Sequence, residues 1–463
     1  MYKHTVLATA LAASLVYDLP ALSAEDPDLA QIRADIQKIK ESYEVRIAAL
    51  EERLKVSESK GAGKSEQLST NVVPVMPDWA APANAFNPEV SLILGGSYGR
   101  LSQNPDNYRI QGFVPVGGKI GPGRRSFNLG ESELTLSANV DPHFAGKVTF
   151  SLAADNTVSV EEAFFRSNGL ANGLELKGGR FLSAVGYLNS QHAHTWDFVD
   201  APLVYQAMFG GQYKQDGVQL RWLAPTDQFL QLGLEGGNGN SPPGTERNRN
   251  GSGSVALFAQ LGDDWGESAN WRTGLSFVHT GAKDRSYQDS NTLGNQTTNS
   301  FDGKSKLWIV DGVFKWAPGG NATHTSFKLQ GEYFRRKESG MLNYNNSTVA
   351  VTEALAYTSA QSGAYVQGVY QFRPEWRVGL RYDWLNSGSL PIDLSSSTLS
   401  AADFPMQASH RPSKNSLMFD YSPSEFSRLR LPFAQDKSRP GVLDNQVLLQ
   451  YIMSLGAHGA HAY

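Results

Sequence analysis

The sequence predicts an all-β protein, a 16-stranded antiparallel transmembrane β-barrel with an N-terminal α-helical coiled-coil segment. The first observation is a change of period, because apolar residues follow a helical spacing between 25 and 60 and recur at every second position from Glu89 onward. The second is that short and long connections alternate along the chain between these segments. This alternation is typical of a barrel with short turns at one end and long loops at the other.

Composition excludes several other classes of protein. The chain has 463 residues, no cysteine, 41 basic and 45 acidic residues, and a formal charge of -4. The lack of cysteine removes disulfide scaffolds, thiolate zinc sites and cysteine nucleophiles. A near-neutral charge without a basic block argues against a nucleic-acid partner. After residue 24 there is no apolar stretch of about 18 residues, which excludes a bundle of membrane-spanning helices.

Residues 1–24 have the layout of a secretory signal. They begin with two basic residues, continue with an apolar run over 6–16 and end in small residues at Ser23 and Ala24. The alternative is a buried N-terminal helix, which Pro20 would break. We therefore expect export, with cleavage after Ala24.

Residues 25–60 carry an apolar stripe at three- and four-residue spacing. Two successive steps of four, from Ile39 to Ile47, form a stutter that locally unwinds a supercoil. The stripe comprises Leu29, Ile32, Ile36, Ile39, Tyr43, Ile47, Leu50 and Leu54. Its simplest partner is a copy of itself in a coiled coil, and the alternative is a lone or surface-docked helix. The Gly/Ser/Asn/Pro-rich residues 61–88 are expected to form a flexible linker.

Residues 89–463 alternate between apolar and polar positions, and aromatic residues such as Trp376 and Trp384 stand at the ends of the apolar faces. A soluble sandwich also alternates, but interfacial aromatic girdles better explain that placement. Sixteen segments follow the pattern: 89–98, 127–140, 144–154, 158–167, 173–181, 215–223, 228–236, 253–262, 269–280, 305–316, 324–336, 362–373, 375–386, 414–422, 425–433 and 443–456.

The connections between these segments alternate in length. The even connections are short turns, whereas the odd ones include 99–126, 182–214, 237–252, 281–304, 337–361 and 387–413. The exception is 154–157, a short connection among the odd ones. In an outer-membrane barrel that starts from the periplasm, the odd connections face outside and are often long.

If the apolar positions face lipid, the alternate positions line the pore. The basic residues of this set are Lys147, Lys177, Arg221, Arg272, Lys315, Lys328, Arg377, Arg381, Arg428 and Arg430, and the acidic ones are Glu133, Glu175, Glu235, Asp311, Glu332 and Asp383. The positive excess would favour anions in a narrow aqueous tube. The alternative is that these charges pair across strands and only keep the wall hydrated.

The segment 179–211 contains the longest outward loop, and in a barrel of this size such a loop can fold inward as a constriction. Its candidate constriction residues are Tyr187, His192, His194, Trp196, Asp197 and Asp200. The pair His192 and His194 could also bind zinc or another divalent metal. The sequence indicates no fixed third ligand, so both interpretations stay open.

No catalytic motif supports an enzyme. There is no Gly-x-Ser-x-Gly elbow, no His-Glu-x-x-His and no phosphate-binding glycine loop. The only nearby serine and histidine on one strand are Ser276 and His279. We therefore expect neither an enzyme nor a cofactor.

The layout of coil, linker and alternating barrel resembles the outer-membrane porins of the phosphate-selective O/P type, which implies a sixteen-stranded trimer. Local motifs are similar to proteins often labelled TonB-dependent or zinc-regulated receptors, namely FNPEVSLILGGSYG, ESELTLSANVDPHFAGKVTFSLA, VEEAFF, LKGGRF, GYLNSQHAHTWDFVDAPL and DGVQLRWLAPTD. A TonB-dependent transporter needs a plug in a barrel of about 22 strands, for which this chain is too short. The porin resemblance implies inward arginines that guide anions, with Arg221, Arg377, Arg381, Arg428 and Arg430 as candidates.

These observations together predict a passive porin for small hydrophilic solutes or anions in the outer membrane of a Gram-negative bacterium. We expect a homotrimer in contact with outer-membrane lipid, whose coil lies in the periplasm and either helps trimerisation or touches the cell wall. The alternative is an outer-membrane receptor or uptake protein for a divalent metal at His192 and His194. A third hypothesis is a tether whose blocked barrel only anchors the coil.

Overall fold

The computed structural model describes residues 88–456 except 115–119, 131, 246–247, 292 and 348. The expected signal, the coiled coil and nearly all of the linker lie outside the described residues. Within them, no helix is long and apolar enough to cross a membrane.

The described chain forms one sheet of seventeen strand segments. Their bounds are β1 Glu89–Leu101, β2 Ser126–Leu129, β3 Ser132–Asn139, β4 Phe144–Leu152, β5 Val158–Ser167, β6 Leu174–Leu182, β7 Lys214–Leu223, β8 Phe229–Gly237, β9 Ser254–Trp265, β10 Ala269–Ser290, β11 Gln296–Trp316, β12 Ser326–Asn346, β13 Val351–Arg373, β14 Trp376–Asn386, β15 Ser413–Ser424, β16 Ser427–Asp436 and β17 Asp444–Gly456. Short 3₁₀ turns occupy Pro105–Asn107, Ala171–Gly173, Ala193–Thr195, Pro318–Gly320, Ala401–Asp403 and Pro405–Gln407. Among the described residues there is one α-helix, α1, at Leu203–Phe209.

The sheet closes on itself as a sixteen-stranded antiparallel barrel. β2 and β3 follow one another along the same neighbour, β1, and count as one barrel strand. From β3 onward each strand pairs with the next, and β17 returns to β1 with Ser91 opposite Gly456. Each of the sixteen predicted segments corresponds to a strand, so the predicted barrel is confirmed.

The outer face carries an apolar belt between two rows of aromatic side chains. On β11, Trp308 and Trp316 both point outward eight residues apart, and Trp376 and Trp384 have the same spacing on β14. Eight residues span about 27 Å along a strand, which a tilt of about 40° shortens to about 21 Å. At the long-loop end Trp308 packs against Phe277 at 4.5 Å, so neighbouring strands contribute to the same row.

Strands β10 to β13 continue beyond this row, which corrects two predicted loops. The connections expected over 281–304 and 337–361 shrink to 291–295 and 347–350. Most outward positions of the extension are polar, as Lys306 and Lys337 illustrate. Its inward positions form a buried apolar cluster with Phe404 and Ile392 from the connection between β14 and β15. The extension is therefore organised like a sheet of a soluble protein, with a buried inner face and a solvent-exposed outer face.

A larger apolar cluster lies inside the barrel at the level of the belt. It joins α1 to inward side chains of the wall, among them Leu307, Phe334 and Tyr365. Every residue of α1 is buried. The connection between β6 and β7, residues 183–213, thus folds into the barrel, and we call it the inward loop.

Candidate constriction site

The neck of the inward loop is closed by hydrogen bonds to the backbone. Asn189 donates to the carbonyl oxygens of Ser183 and Tyr213 at 2.8 Å each and accepts from the Tyr213 amide at 2.7 Å. Glu235 of β8 accepts from the Ser183 hydroxyl at 2.6 Å and from the Ala184 amide at 2.9 Å. Both ends of the loop are therefore held against the same side of the wall.

Glu332 of β12 anchors the middle of the loop. Its carboxylate accepts from the amides of Tyr187 and Leu188 at 3.2 and 3.0 Å and from the Tyr205 hydroxyl at 2.9 Å. Tyr365 on the neighbouring strand donates to it at 2.7 Å. A buried carboxylate needs several such donors to offset its lost hydration. Glu332, which alternation places on the inner face, thus binds the inward loop and does not face open solvent.

Two acidic residues of the inward loop pair with basic residues of the wall. Asp197 lies 2.5 Å from Lys328 and 3.3 Å from Arg377. Burial raises the pKa of Asp197, but these two cations outweigh it and hold the pKa well below its usual value. Asp200 lies 2.7 Å from Arg381 and 2.6 Å from Lys414.

The pKa of Asp200 shifts in the same direction as that of Asp197. Burial raises the pKa of Asp200, and Lys414 and Arg381 reverse the shift and lower it. Arg381 also contacts Asp383 at 2.9 Å, and Asp383 accepts from the Leu203 amide at the start of α1. Wall acids therefore hold the loop backbone, whereas loop acids hold the wall cations.

Basic side chains gather near the short-turn ends of β12, β14 and β16. We call this group the cationic vestibule; it comprises Lys328, Arg377, Arg428 and Arg430 with the carboxylates Asp197 and Asp420. Four basic groups face two acids, an excess of two positive charges. Arg430 donates to the Trp196 carbonyl oxygen at 2.7 Å, which ties this group to the loop.

Eight of the ten predicted inward basic side chains keep partial exposure inside the described barrel, and six of them also form ion pairs. The exposed fractions of these six lie between 21% and 25%, and they are Lys147, Arg221, Arg272, Lys328, Arg377 and Arg428. By contrast Arg381 and Arg430 are 1% exposed. Arg381 and Arg430 are therefore enclosed, whereas the six keep about a fifth to a quarter of their surface exposed.

The remaining predicted pore-lining residues also lie on the inner face. Arg221 pairs with Glu175, and Lys177 lies 4.6 Å above the Phe164 ring. Arg272 lies 5.0 Å from the Tyr187 ring of the loop. Lys315 occupies an inward, half-buried position on β11.

His192 and His194 meet three glutamates of the wall. His192 Nδ1 lies 3.1 Å from Glu133 Oε2 and 3.4 Å from Glu161 Oε2, and its Nε2 lies 3.0 Å from Glu162 Oε2. His194 Nδ1 lies 3.1 Å from Glu133 Oε1. Burial lowers the pKa of His192, but the three carboxylates outweigh burial and raise it well above its usual value.

Sequence reasoning missed Glu161 and Glu162 because strict alternation places them on opposite faces. The register of β4 and β5 shifts at this point, with Thr149 opposite Glu162 and Phe150 opposite Val160. This bulge leaves Glu161 without a partner in the register and lets both acids lie buried. A charged residue at a position that alternation assigns to the lipid face is the signal that could have revealed it.

No protein-family profile matches the chain. An uncharacterized protein of Aquifex aeolicus (strain VF5) is 28% identical over 409 residues, which cover 82% of this chain and 80% of that protein. The structural neighbours are outer-membrane proteins. A loop L8 deletion mutant of OmpT from Vibrio cholerae has a TM-score of 0.49 and 11% identity, over 80% of this chain and 99% of that one.

Two further neighbours are channels. The outer-membrane channel DcaP of Acinetobacter baumannii has a TM-score of 0.46 and 14% identity, with coverage of 80% of this chain and 97% of that one. The anion-selective porin from Comamonas acidovorans has a TM-score of 0.46 and 11% identity, with coverage of 80% and 99%.

Proposed function

We propose that this protein is a passive outer-membrane channel for small hydrophilic solutes, with a preference for anions. The observation that carries the proposal is the cationic vestibule inside a closed barrel whose outer face is an apolar belt. An apolar belt between aromatic rows is the surface of a barrel in a bilayer. A closed barrel leaves no unpaired strand edge there.

The inward loop determines what could pass. It places α1 and its apolar cluster inside the barrel, which narrows the lumen, so the channel admits small solutes only. Six partly exposed cations lie on the inner face of the wall, namely Lys147, Arg221, Arg272, Lys328, Arg377 and Arg428. Because field lines concentrate in a water-filled tube with low-dielectric walls, their charge lowers the barrier for anions.

The vestibule distinguishes this proposal from the view that the inner charges only pair with one another. Asp420 lies within 3.4 Å of Arg377, Arg428 and Arg430, so one carboxylate serves three cations. Pairing alone would need as many acids as bases. An anion on the way through would meet more basic than acidic side chains in the cationic vestibule.

Conductance of the purified full-length protein in a planar bilayer tests the proposal. We expect ohmic steps, and in a KCl gradient a reversal potential displaced toward the equilibrium potential of chloride. Absence of steps above the lipid background would overturn the channel and favour a tether with a blocked lumen. A reversal potential on the potassium side would overturn the anion preference alone.

The expected homotrimer and the expected contact of the coil with the cell wall stay predictions. The trimer is expected from the resemblance to porins, and the contact with the cell wall from residues 25–60, which lie outside the described residues. Crosslinking of the full-length protein in membranes, compared with a chain lacking 25–60, would test whether the coil determines the number of subunits.

A further inference from the structure

We infer that Glu133, Glu161, His192 and His194 form a binding site for a divalent transition-metal ion that fastens the inward loop to the barrel wall. The loop supplies two imidazoles, and β3 and β5 supply one carboxylate each. One atom each from Glu133, His192 and His194 lies within 4.8 Å of the others. The site thus adds wall ligands to a histidine pair that alone could not hold an ion.

Two spacings around His192 Nδ1 match those between neighbouring ligands of a tetrahedral site. Nitrogen and oxygen ligands lie about 2.0–2.1 Å from zinc, so two of them at a tetrahedral site lie about 3.3 Å apart. His192 Nδ1 lies 3.1 Å from Glu133 Oε2 and 3.4 Å from Glu161 Oε2. His194 Nδ1 lies 3.1 Å from the other oxygen of Glu133.

Two atoms at the centre of the cluster have no hydrogen bond. They are His192 Nδ1 and Glu161 Oε2, and Glu161 is only 4% exposed. Their contacts are close but lack hydrogen-bonding geometry. A buried carboxylate oxygen without a donor is costly, and an ion between these atoms would satisfy both.

The orientation of His192 matches that of a metal ligand. Its Nε2 lies 3.0 Å from Glu162 Oε2, and metal-bound imidazoles commonly donate their second N–H to a carboxylate. Glu162 is held in turn by Lys147 at 3.2 Å and by the Leu182 amide at 3.0 Å. With Nε2 donating to Glu162, the lone pair of Nδ1 faces Glu133 and Glu161.

Charge gives a further reason for a cation. Glu133, Glu161 and Glu162 with Lys147 carry a formal charge of -2 when both imidazoles are neutral, which one divalent ion cancels. Two nitrogen ligands favour zinc and its first-row neighbours over magnesium and calcium, which prefer oxygen. In the competing state, His192 is protonated and pairs with the carboxylates, and no metal ion is bound. The experiment must distinguish this state from the metal-bound one.

Calorimetric titration with Zn²⁺ tests the site on the full-length protein, purified in detergent and first treated with a chelator. The same samples are titrated with Co²⁺, whose visible absorption is stronger in tetrahedral than in octahedral coordination. We expect one equivalent of Zn²⁺ and a tetrahedral Co²⁺ spectrum. Glu161→Gln keeps the shape of the side chain, and it should weaken binding by more than about tenfold, since loss of a second-shell partner alone costs about 10–100-fold.

The matched control is Glu267→Gln, which makes the same substitution at an exposed turn at the short-turn end. It should bind Zn²⁺ like the unaltered protein, and Zn²⁺ should raise its unfolding temperature by more than that of Glu161→Gln. If no binding occurs, or if binding survives Glu161→Gln unchanged, the site is overturned and the protonated cluster is favoured. Binding requires no conduction, so the two proposals can fail separately. A barrel that binds Zn²⁺ but does not conduct refutes only the channel. A barrel that conducts but does not bind Zn²⁺ refutes only the metal site.

Discussion

Arg381 on the wall of the barrel donates to Asp200 in the inward loop at 2.7 Å, and Lys414 reaches the other oxygen of the same carboxylate at 2.6 Å. The side chains of Arg381 and Lys414 are 1% and 3% exposed. The loop therefore neutralises two cations that the wall has buried. Its position is coupled to the stability of the barrel.

Asp200→Asn is expected to loosen the inward loop and destabilise the protein by about 3–5 kcal/mol, because it leaves two buried cations short of a partner. Denaturant unfolding and protease cleavage within 183–213 measure the two effects. Asp227→Asn, at an exposed turn, is the control and should change neither. Equal behaviour of the two variants would mean that Asp200 does not anchor the loop.

The same pair predicts a dependence on pH. Asp200 faces Arg381, Lys414, Asp383 and Tyr108, and its pKa is held below the usual 3.8. A lowered pKa gives stabilisation that is complete above the usual value and is lost as pH falls through the lower one. The stability difference between the unaltered protein and Asp200→Asn should thus persist from pH 7 to pH 4.5 and shrink only below about pH 3.8. A difference that has vanished by pH 5 would contradict an ionised, paired Asp200.

Arg428→Gln tests the charge of the cationic vestibule. Arg377 and Arg430 still contact Asp420 in this variant, so the fold should survive while the positive excess falls from two to one. The reversal potential in a KCl gradient should move toward the potassium side, most clearly at low salt, where screening is weakest. Lys306→Gln removes an outward charge and should leave the selectivity as it was.

The limits of the apolar belt can be tested on a single strand. Val366→Arg places a charge on the outward face of β13 within the belt and should cost about 2–4 kcal/mol of unfolding free energy in lipid vesicles. Ala356→Arg lies on the same outward row in the part of β13 that projects beyond the belt, and it should cost far less. Both positions are exposed in the isolated chain. Equal costs would contradict the assigned membrane boundary.

A pair of glycines separates packing from backbone strain. Gly186 and Gly169 have φ angles of +70° and +74°, so alanine is strained equally at both. A Cβ at Gly186 would collide with Glu332 and approach the Tyr205 hydroxyl to 2.9 Å, whereas at Gly169 it would meet nothing within 4 Å. Gly186→Ala should therefore lose about 1–3 kcal/mol more in denaturant unfolding than Gly169→Ala. Equal losses would show that the loop is not packed against Glu332.

The sequence alone predicted the barrel and most of its strand positions, because each strand within the belt has one face that needs to be apolar. It failed where that requirement ends. Beyond Trp308 the outward positions of β11 turn polar at Lys306 and Lys304, so the pattern that defined the strand stops although the pairing continues to Gln296. The two loops predicted there were wrong for this reason.

The candidate site was predictable only as a set of residue types. Alternation indicated that Glu332, Arg377 and Arg381 point inward, and composition singled out the loop with His192 and His194. The pairing of acids with bases depends on how the inward loop folds against the wall. Its partners there are often more than a hundred residues away in sequence, as with Asp197 and Arg377. No local pattern encodes such a contact.

The sequence by itself determined the number of strands, their order and the face that most side chains take, since hydrocarbon on one side and water on the other impose a period of two. Only the tertiary structure decided which inner charges are reachable and which are buried in pairs. It also brought Glu161 to the inner face through a bulge in β5. These outcomes follow from packing and from long-range electrostatics, and neither leaves a periodic trace along the chain.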